Sequence, residues 1–364
     1  MAKICSGCGA QIQSSDPKRP GYVPPELLSR ENVICQRCFK ISHYNQLTPV
    51  TVNPDHFNNL LKKIGQEKAL VVKIIDLFDF NGTMLPGFAR LMRFNPVVVA
   101  VNKIDLLPRV NWGRIKEWIK RQIETLGMKP VDLVFVSGAN GSGIRELLSA
   151  IRNHRQGRDV YLVGAANVGK STLINQILNY IDQEADLKLT TSRFPGTTLD
   201  LIAIPLKDGT LLYDTPGVIS GEQMTHYLSA EDLKLVLPQK QLKPKIYQLN
   251  PQQTLFFGGL ARLDFIAGVR SSFVCYMADS LPIHRSKLER ADRLYRRHLG
   301  GLLHPPRAQA LSNWGPLEKH TFQLDESADL VIAGLGWVAF KGEKGEVTLH
   351  APQGVKVLKR TTLI

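Results

Sequence analysis

Gly164-Ala-Ala-Asn-Val-Gly169-Lys170-Ser171-Thr172 decides how this chain is read, because it fits the spacing G-x-x-x-x-G-K-[ST] of a phosphate-binding loop. The apolar run Asp159–Val163 precedes it and a helical pattern, Thr172 to Tyr180, follows, which is the strand–loop–helix setting such a loop needs. Glycines let the backbone wrap closely, so N–H groups and a helix N-terminus point at phosphate. Lys170 is suited to neutralise β- and γ-phosphates, and the Ser171 hydroxyl to ligate Mg²⁺. Gly164, Val168, Gly169 and Thr172 complete the candidate cradle. An ordinary Gly-rich turn is the plain alternative.

Downstream, Asp214-Thr-Pro-Gly217 follows the apolar run Thr210–Tyr213. A carboxylate at a strand end can hold Mg²⁺ through water, and the Gly217 N–H can sense a γ-phosphate. Alone, DTPG is also a turn sequence. Between the two motifs, Phe194-Pro-Gly-Thr-Thr-Leu-Asp200 offers a hydroxyl to the Mg²⁺ shell; Thr198 is preferred to Thr197, and a plain Ser/Thr-rich surface loop is the alternative.

Upstream, Asn102-Lys103-Ile104-Asp105 ends the apolar run Val97–Val101. Asp105 can accept two hydrogen bonds from guanine, whose ring N–H and exocyclic amine form a donor pair that adenine lacks. The Lys103 stem can cover the base, and Asn102 can tie neighbouring loops together. Ser137-Gly138-Ala139, also at a strand end, can offer a backbone N–H to the guanine oxygen. These residues favour GTP/GDP over the ATP of a P-loop ATPase or small-molecule kinase.

Short continuous apolar runs, Ala69–Asp76, Val97–Val101, Leu133–Val136 and Val160–Val163, alternate with amphipathic stretches such as Trp112–Leu126 and Gly143–Arg152. That alternation predicts a doubly wound α/β domain. Beyond about Ile219 the pattern changes to strands bounded by Gly or Pro: Leu255–Phe257, Ser272–Met277, Leu330–Phe340, Glu346–His350 and Val355–Lys359. A charged helix is expected over His284–His298.

Four of the five cysteines lie within the first 38 residues, as Cys5-x-x-Cys8 and Cys35-x-x-Cys38. Two chelating pairs suit a closed, structural Cys₄ Zn²⁺ site. The 26-residue gap exceeds the usual ribbon spacing of about 15–20; an iron–sulfur cluster or unbound thiols are the alternatives. Cys275 sits in an apolar strand and reads as core, as do Phe256, Phe257, Trp337 and Phe340.

The chain of 364 residues carries a formal charge of +14, which favours a polyanionic partner. No apolar run approaches the roughly 18 residues of a membrane span, and the start lacks a signal-peptide core. The expectation is a cytoplasmic protein with a nucleic-acid partner and no membrane; that this partner is RNA and not DNA is implied only by a family resemblance. Arg285, Arg293, Arg296 and Arg297, and within and after the second cysteine pair Arg37, Lys40, His43 and Tyr44, are candidate RNA contacts; solvated or packing roles suit each equally.

The base-reading motifs at 102–105 and 137–139 precede the phosphate and Mg²⁺ motifs at 164–217, the reverse of conventional small GTPases. In this order the sequence resembles the circularly permuted bacterial GTPases, and most closely the YqeH-type ribosome-assembly GTPases. The resemblance implies an α/β, circularly permuted P-loop GTPase domain over 51–222. It implies a Cys₄ zinc-binding unit over 1–50, and a basic β-rich α+β domain over 223–364 that binds RNA or a partner. It further implies GTP hydrolysis in small ribosomal subunit assembly, through ribosomal RNA or a small-subunit precursor.

Val218 stands where many GTPases carry the glutamine that positions water, and an apolar side chain cannot do that. The sequence looks like GTPases with a hydrophobic residue there, for which slow intrinsic turnover is expected. In potassium-activated GTPases an Asn similar to Asn167 helps hold K⁺ against the phosphates; Asn167 equally suits the loop's backbone. An RNA-binding scaffold that uses GTP mainly as a structural ligand is the competing function.

Overall fold

In the computed structural model, residues 3–6, 8–29, 33–44, 51–183, 201–206 and 208–364 are described. They form two compact units. The first contains Met1–Asp105 and Ile119–Ile219, and the second Leu106–Trp118 and Ser220–Ile364.

The first unit runs α1 (Gln36–Tyr44), β1 (Thr51–Val52), α2 (Pro54–Gln66), β2 (Ala69–Asp76), α3 (Phe88–Leu91) and β3 (Val97–Asn102). It continues with α4 (Trp112–Thr125, shared with the second unit), β4 (Asp132–Phe135), α5 (Ile144–Arg155) and β5 (Asp159–Val163). Then come α6 (Lys170–Gln183), β6 (Ile202–Pro205), β7 (Leu211–Asp214) and β8 (Gly217–Val218). The main sheet has the order β4-β3-β2-β5-β7-β6. Its strands pair in parallel except β6, which runs antiparallel to β7.

Central strand β2 is buried at all eight positions, as a strand covered on both faces must be. Leu70, Val72 and Ile74 share a core with Ile144, Leu147 and Ile151 of α5 and Leu173, Ile174 and Ile177 of α6. Each such side chain contributes roughly 1.5–3 kcal/mol by leaving water. Helix α2 starts where Asn53 accepts from the His56 N–H at 2.8 Å and Pro54 fills the first turn.

Lys73, on the same strand, is fully buried; its ammonium donates to the Thr83 carbonyl at 3.1 Å and lies 5.4 Å from the Phe88 ring centre. Burial pushes its pKa down to about 7. Because the folded value lies below the unfolded one, the folding penalty is complete below pH 7 and shrinks as pH rises from there toward 10.5. A depression of that size corresponds to a penalty on the order of 5 kcal/mol. Lys73→Met is therefore expected to gain stability over the unaltered chain at pH 6.5 by a few kcal/mol, and by clearly less at pH 9.5. Urea unfolding of both proteins at the two pH values checks this, and an equal difference at both would refute it.

The second unit adds α7 (Ala230–Val236), β9 (Lys245–Leu249), β10 (Gln253–Phe257), β11 (Ala261–Gly268), β12 (Ser271–Met277) and β13 (Ile283–Lys287). It ends with α8 (Leu288–His298), β14 (Leu317–Leu324), β15 (Ala328–Ile332), β16 (Gly336–Lys341), β17 (Gly345–Pro352) and β18 (Val357–Arg360). Two antiparallel five-stranded sheets result, β13-β10-β11-β17-β14 and β18-β15-β16-β12-β9. They share one apolar core: Leu255, Phe257, Leu263 and Leu349 from the first meet Phe273, Cys275, Leu330 and Phe340 from the second. Phe256 stacks against Tyr295 of α8, and Trp337 against Tyr276, so all four aromatic residues expected in the core are buried.

Two expectations change. The stretch His284–His298 is not one helix: pairing of Ile283–Lys287 with β10 makes its first part an edge strand, and the helix starts at Leu288. The run Leu330–Phe340 is a hairpin rather than a strand. Ile332 pairs with Gly336, and Gly334 turns the chain with φ of +77°. Among the described residues, no helix is long and apolar enough to cross a membrane.

Candidate functional site

The loops that leave the C-terminal ends of β5, β3, β4 and β7 carry the candidate nucleotide motifs, at the edge where open α/β sheets bind ligands. Asn102 joins three of them. Its amide donates to the Val168 carbonyl in the phosphate loop at 2.7 Å, and its carbonyl oxygen accepts from the Gly138 N–H at 2.9 Å. Asn102 is 1% exposed, so these bonds form in a dry setting where leaving either group unpaired costs roughly 1–3 kcal/mol. Gly169 follows in the left-handed region at φ +83°, and a Cβ there would stand 2.5 Å from the Asn102 nitrogen. Glycine is thus required both by conformation and by space.

Asp105 accepts from the Ser137 hydroxyl, and the Ser137 oxygen accepts from the Asn140 N–H at 3.2 Å. This fixes the carboxylate beside Gly138 and the exposed Ala139. Lys103, with φ of +65°, donates to Asp76 at the end of β2 at 2.6 Å. The sequence reading did not single out Asp76; its signal is an acidic residue that ends the buried run Ala69–Asp76.

At the phosphate end, Lys170 donates to Asp214 and to the Thr215 carbonyl. Burial holds the Lys170 pKa below its ordinary value; Asp214 opposes this and the charge of Arg37 adds to it. Ser171 is buried beside Lys170 at the start of α6, while Thr172 and Asn167 are exposed. Asn167 has φ of +63°, a conformation that Asn tolerates better than most residues. Gly164 packs tightly: a Cβ there would lie 2.8 Å from the Val168 side chain. Gly217 passes close to the phosphate loop, with its missing Cβ 3.2 Å from the Ala166 Cα, and the Val218 carbonyl accepts from the Ala166 N–H at 2.8 Å. Thr197 and Thr198 lie outside the described residues.

Cys5, Cys8, Cys35 and Cys38 are buried together, with all four sulfurs within 4.8 Å of one another. The Cys8 and Cys35 sulfurs are 3.7 Å apart, and tetrahedral Zn²⁺ with Zn–S bonds of roughly 2.3 Å requires about 3.8 Å. The Cys35 N–H donates to the Cys5 sulfur at 3.2 Å, a bond that favours thiolate. The donor set therefore fits Zn²⁺. Within the gap, Gln13 ties a turn together: its side chain donates to the Asp16 carbonyl at 2.8 Å and accepts from the Ser15 and Asp16 N–H groups.

The candidate RNA residues do not behave alike. Arg285, Arg293, Arg296 and Arg297 are exposed on β13 and α8, whereas Arg37 is buried and pairs with Asp214. Lys40 is half-buried; the side chains of His43 and Tyr44 lie outside the described residues.

Comparison with known proteins agrees with this arrangement. A family described as "50S ribosome-binding GTPase" matches residues 159–254, and one described as "YqeH-like, C-terminal" matches residues 270–363. The YqeH protein of Bacillus subtilis is 50% identical over 363 residues, covering 99% of each chain. NO-associated protein 1, chloroplastic/mitochondrial, of Arabidopsis thaliana is 30% identical over 390 residues, 93% of this chain and 69% of that one. Small ribosomal subunit biogenesis GTPase RsgA of Clostridium beijerinckii is 28% identical over 206 residues, 52% of this chain and 67% of that one. With the phosphate loop, the base-side loops and the Cys₄ cluster in one compact unit, and with a full-length relative at that identity, this chain belongs to the YqeH-like family and carries a GTPase domain.

Proposed function

We propose that this protein is a GTP-hydrolysing switch acting in small ribosomal subunit assembly, through ribosomal RNA or a precursor particle. The observation that carries the nucleotide reading is the Asn102 bridge between the base-side and phosphate loops. In this reading Asp105 accepts from guanine and the Ala139 N–H donates to its oxygen. Lys170 neutralises the β- and γ-phosphates, and the loop from Gly164 to Thr172 cradles them. Ser171, Thr198 and Asp214 hold Mg²⁺, which neutralises charge that develops on the phosphates. The Gly217 N–H reads the γ-phosphate, so that GTP and GDP order its segment differently.

Val218 is 6% exposed and apolar, and positions no water. Intrinsic turnover is therefore slow, and a partner or K⁺ held by Asn167 supplies what is lacking. The ribosomal reading draws on the net charge of +14, the exposed arginines of β13 and α8, and the small-subunit role stated in the name of RsgA.

Turnover with and without small-subunit precursors, in K⁺ and in Na⁺, tests the proposal together with co-sedimentation on those particles. Binding in the presence of a non-hydrolysable GTP analogue is expected to exceed binding with GDP, and particles are expected to raise turnover at least about tenfold. Equal binding with either nucleotide and unchanged turnover would favour a scaffold that uses GTP as a structural ligand. Unchanged turnover on exchanging K⁺ for Na⁺ would remove the role given to Asn167.

A further inference from the structure

Arg37 lies between two of the clustered cysteines, Cys35 and Cys38, yet its guanidinium donates to an oxygen of Asp214. The Arg37 and Asp214 side chains are 4% and 1% exposed. Lys170 occupies the other carboxylate oxygen, with its own side chain 7% exposed. Two cations thus share one carboxylate almost out of contact with water, where charge–charge interactions are strong.

A second connection runs through the backbone. The Thr51 N–H donates to the Lys18 carbonyl within the cysteine unit at 3.2 Å. Thr51 and Val52 pair in parallel with Gly217 and Val218, directly after the DTPG turn. The cysteine unit therefore touches Asp214 directly and is linked to Gly217 through the strand Thr51–Val52.

Resting on the assignment of Asp214 to Mg²⁺ above, we propose that Arg37 is a positioning residue that opposes Mg²⁺ at Asp214, so that the cysteine unit sets the Mg²⁺ concentration at which nucleotide loads. Lys170 and Arg37 each take one acceptor site of the Asp214 carboxylate and place positive charge beside any hydrated Mg²⁺ that it would hold. Lys170 has phosphates to turn to when nucleotide binds. Arg37 is anchored by the cysteines on either side, and its fixed positive charge repels the divalent ion. Its departure from the carboxylate, or its retention there, is thus linked to the state of the cysteine unit.

A fluorescent GTP analogue titrated with MgCl₂, and separately in excess EDTA, tests this in the full chain, with zinc content measured in parallel. Arg37→Gln is expected to lower the half-saturating Mg²⁺ about tenfold while changing affinity in EDTA by less than about threefold; Arg37→Lys, which keeps the charge, is expected to stay near the unaltered chain. A merely structural Arg37 would instead weaken binding with and without Mg²⁺. An unchanged or raised Mg²⁺ requirement in Arg37→Gln overturns the proposal. If that variant loses its zinc, the side-chain N–H resonance of Arg37 in the unaltered chain is followed instead. Its sheltering by Asp214 is expected to be lost when Mg²⁺ is added to nucleotide-bound protein, and persistence overturns the proposal. Absence of guanine-nucleotide binding by the unaltered chain overturns the Mg²⁺ assignment, and the proposal with it.

Discussion

Asp105→Asn is expected to lower affinity for GTP and GDP by roughly 10²–10⁴-fold and to raise affinity for XTP over GTP. Hydrogen bonds to a charged group contribute about 1.5–3 kcal/mol each, and guanine offers this carboxylate two donors. The introduced amide retains one acceptor and gains a donor. Ser137 decides which faces the base: its hydroxyl donates to the carboxylate in this structure, so it draws the amide oxygen toward itself and leaves the NH₂ outward. An outward NH₂ repels the guanine amine and matches the oxygen that xanthine carries there. Equilibrium binding of GTP, GDP, XTP and ATP to both proteins measures the effect. Unchanged guanine binding, or tight ATP binding by the unaltered chain, would show that Asp105 does not read the base.

The candidate nucleotide loops were legible as strand-end loops because each is a short segment whose conformation depends on residues close together in sequence. A glycine two positions away changes what the backbone can do, and a buried strand immediately before a polar loop places that loop at the sheet edge. Asn102, Lys103 and Asp105 are of this kind, as are Gly169 and Lys170. Arg37 is not. It was read as a candidate RNA contact because a cation beside a cysteine pair looks solvated, and nothing local indicates a partner 177 positions later. Asp76 was overlooked for a related reason: it completes an apolar run, and only the fold brings Lys103 to it.

In the second unit, strand β11 escaped the sequence pattern because Arg262 and Asp264 interrupt it. Both are buried and paired with each other. Arg262 donates to Asp264 at 2.8 Å and to Asp292 at 2.6 Å, while His350 and Thr254 also bond Asp264. Burial alone would raise the Asp264 carboxyl, but bonds from His350 and Thr254 and the charge of Arg262 bring it below its ordinary value. Lys73 did not hide β2 in the same way, because the apolar residues on both sides of it kept the run Ala69–Asp76 legible. Charges inside a sheet hide a strand from hydropathy when other strands supply their partners.

Removing zinc is expected to unfold the cysteine unit while the six-stranded sheet stays folded. Apart from the cysteines, the buried apolar residues among the described residues of this unit are Ala10, Val23 and Val33, with Ile12, Leu27 and Leu28 partly buried. So few apolar side chains cannot offset the roughly 1–2 kcal/mol that each ordered backbone residue costs, and a Cys₄ metal supplies the missing free energy. These residues join the same apolar core as β2, α5 and α6, but the sheet and its helices supply most of that core, so the main sheet is expected to hold without the metal. One zinc per chain is expected in the purified protein. Chelation, or Cys35→Ser with Cys38→Ser, should abolish that stoichiometry and make the bond between Lys18 and Arg19 cleavable by trypsin at least about tenfold faster. It should also free Asp214 of its guanidinium, because Arg37 is fixed only while Cys35 and Cys38 are. Loss of zinc is then expected to lower the Mg²⁺ requirement for nucleotide just as Arg37→Gln does, joining a structural metal to the catalytic one through a single side chain. A cysteine unit that resists trypsin equally well without zinc would show that its few apolar contacts suffice, and would leave Arg37 anchored by packing instead of by the metal.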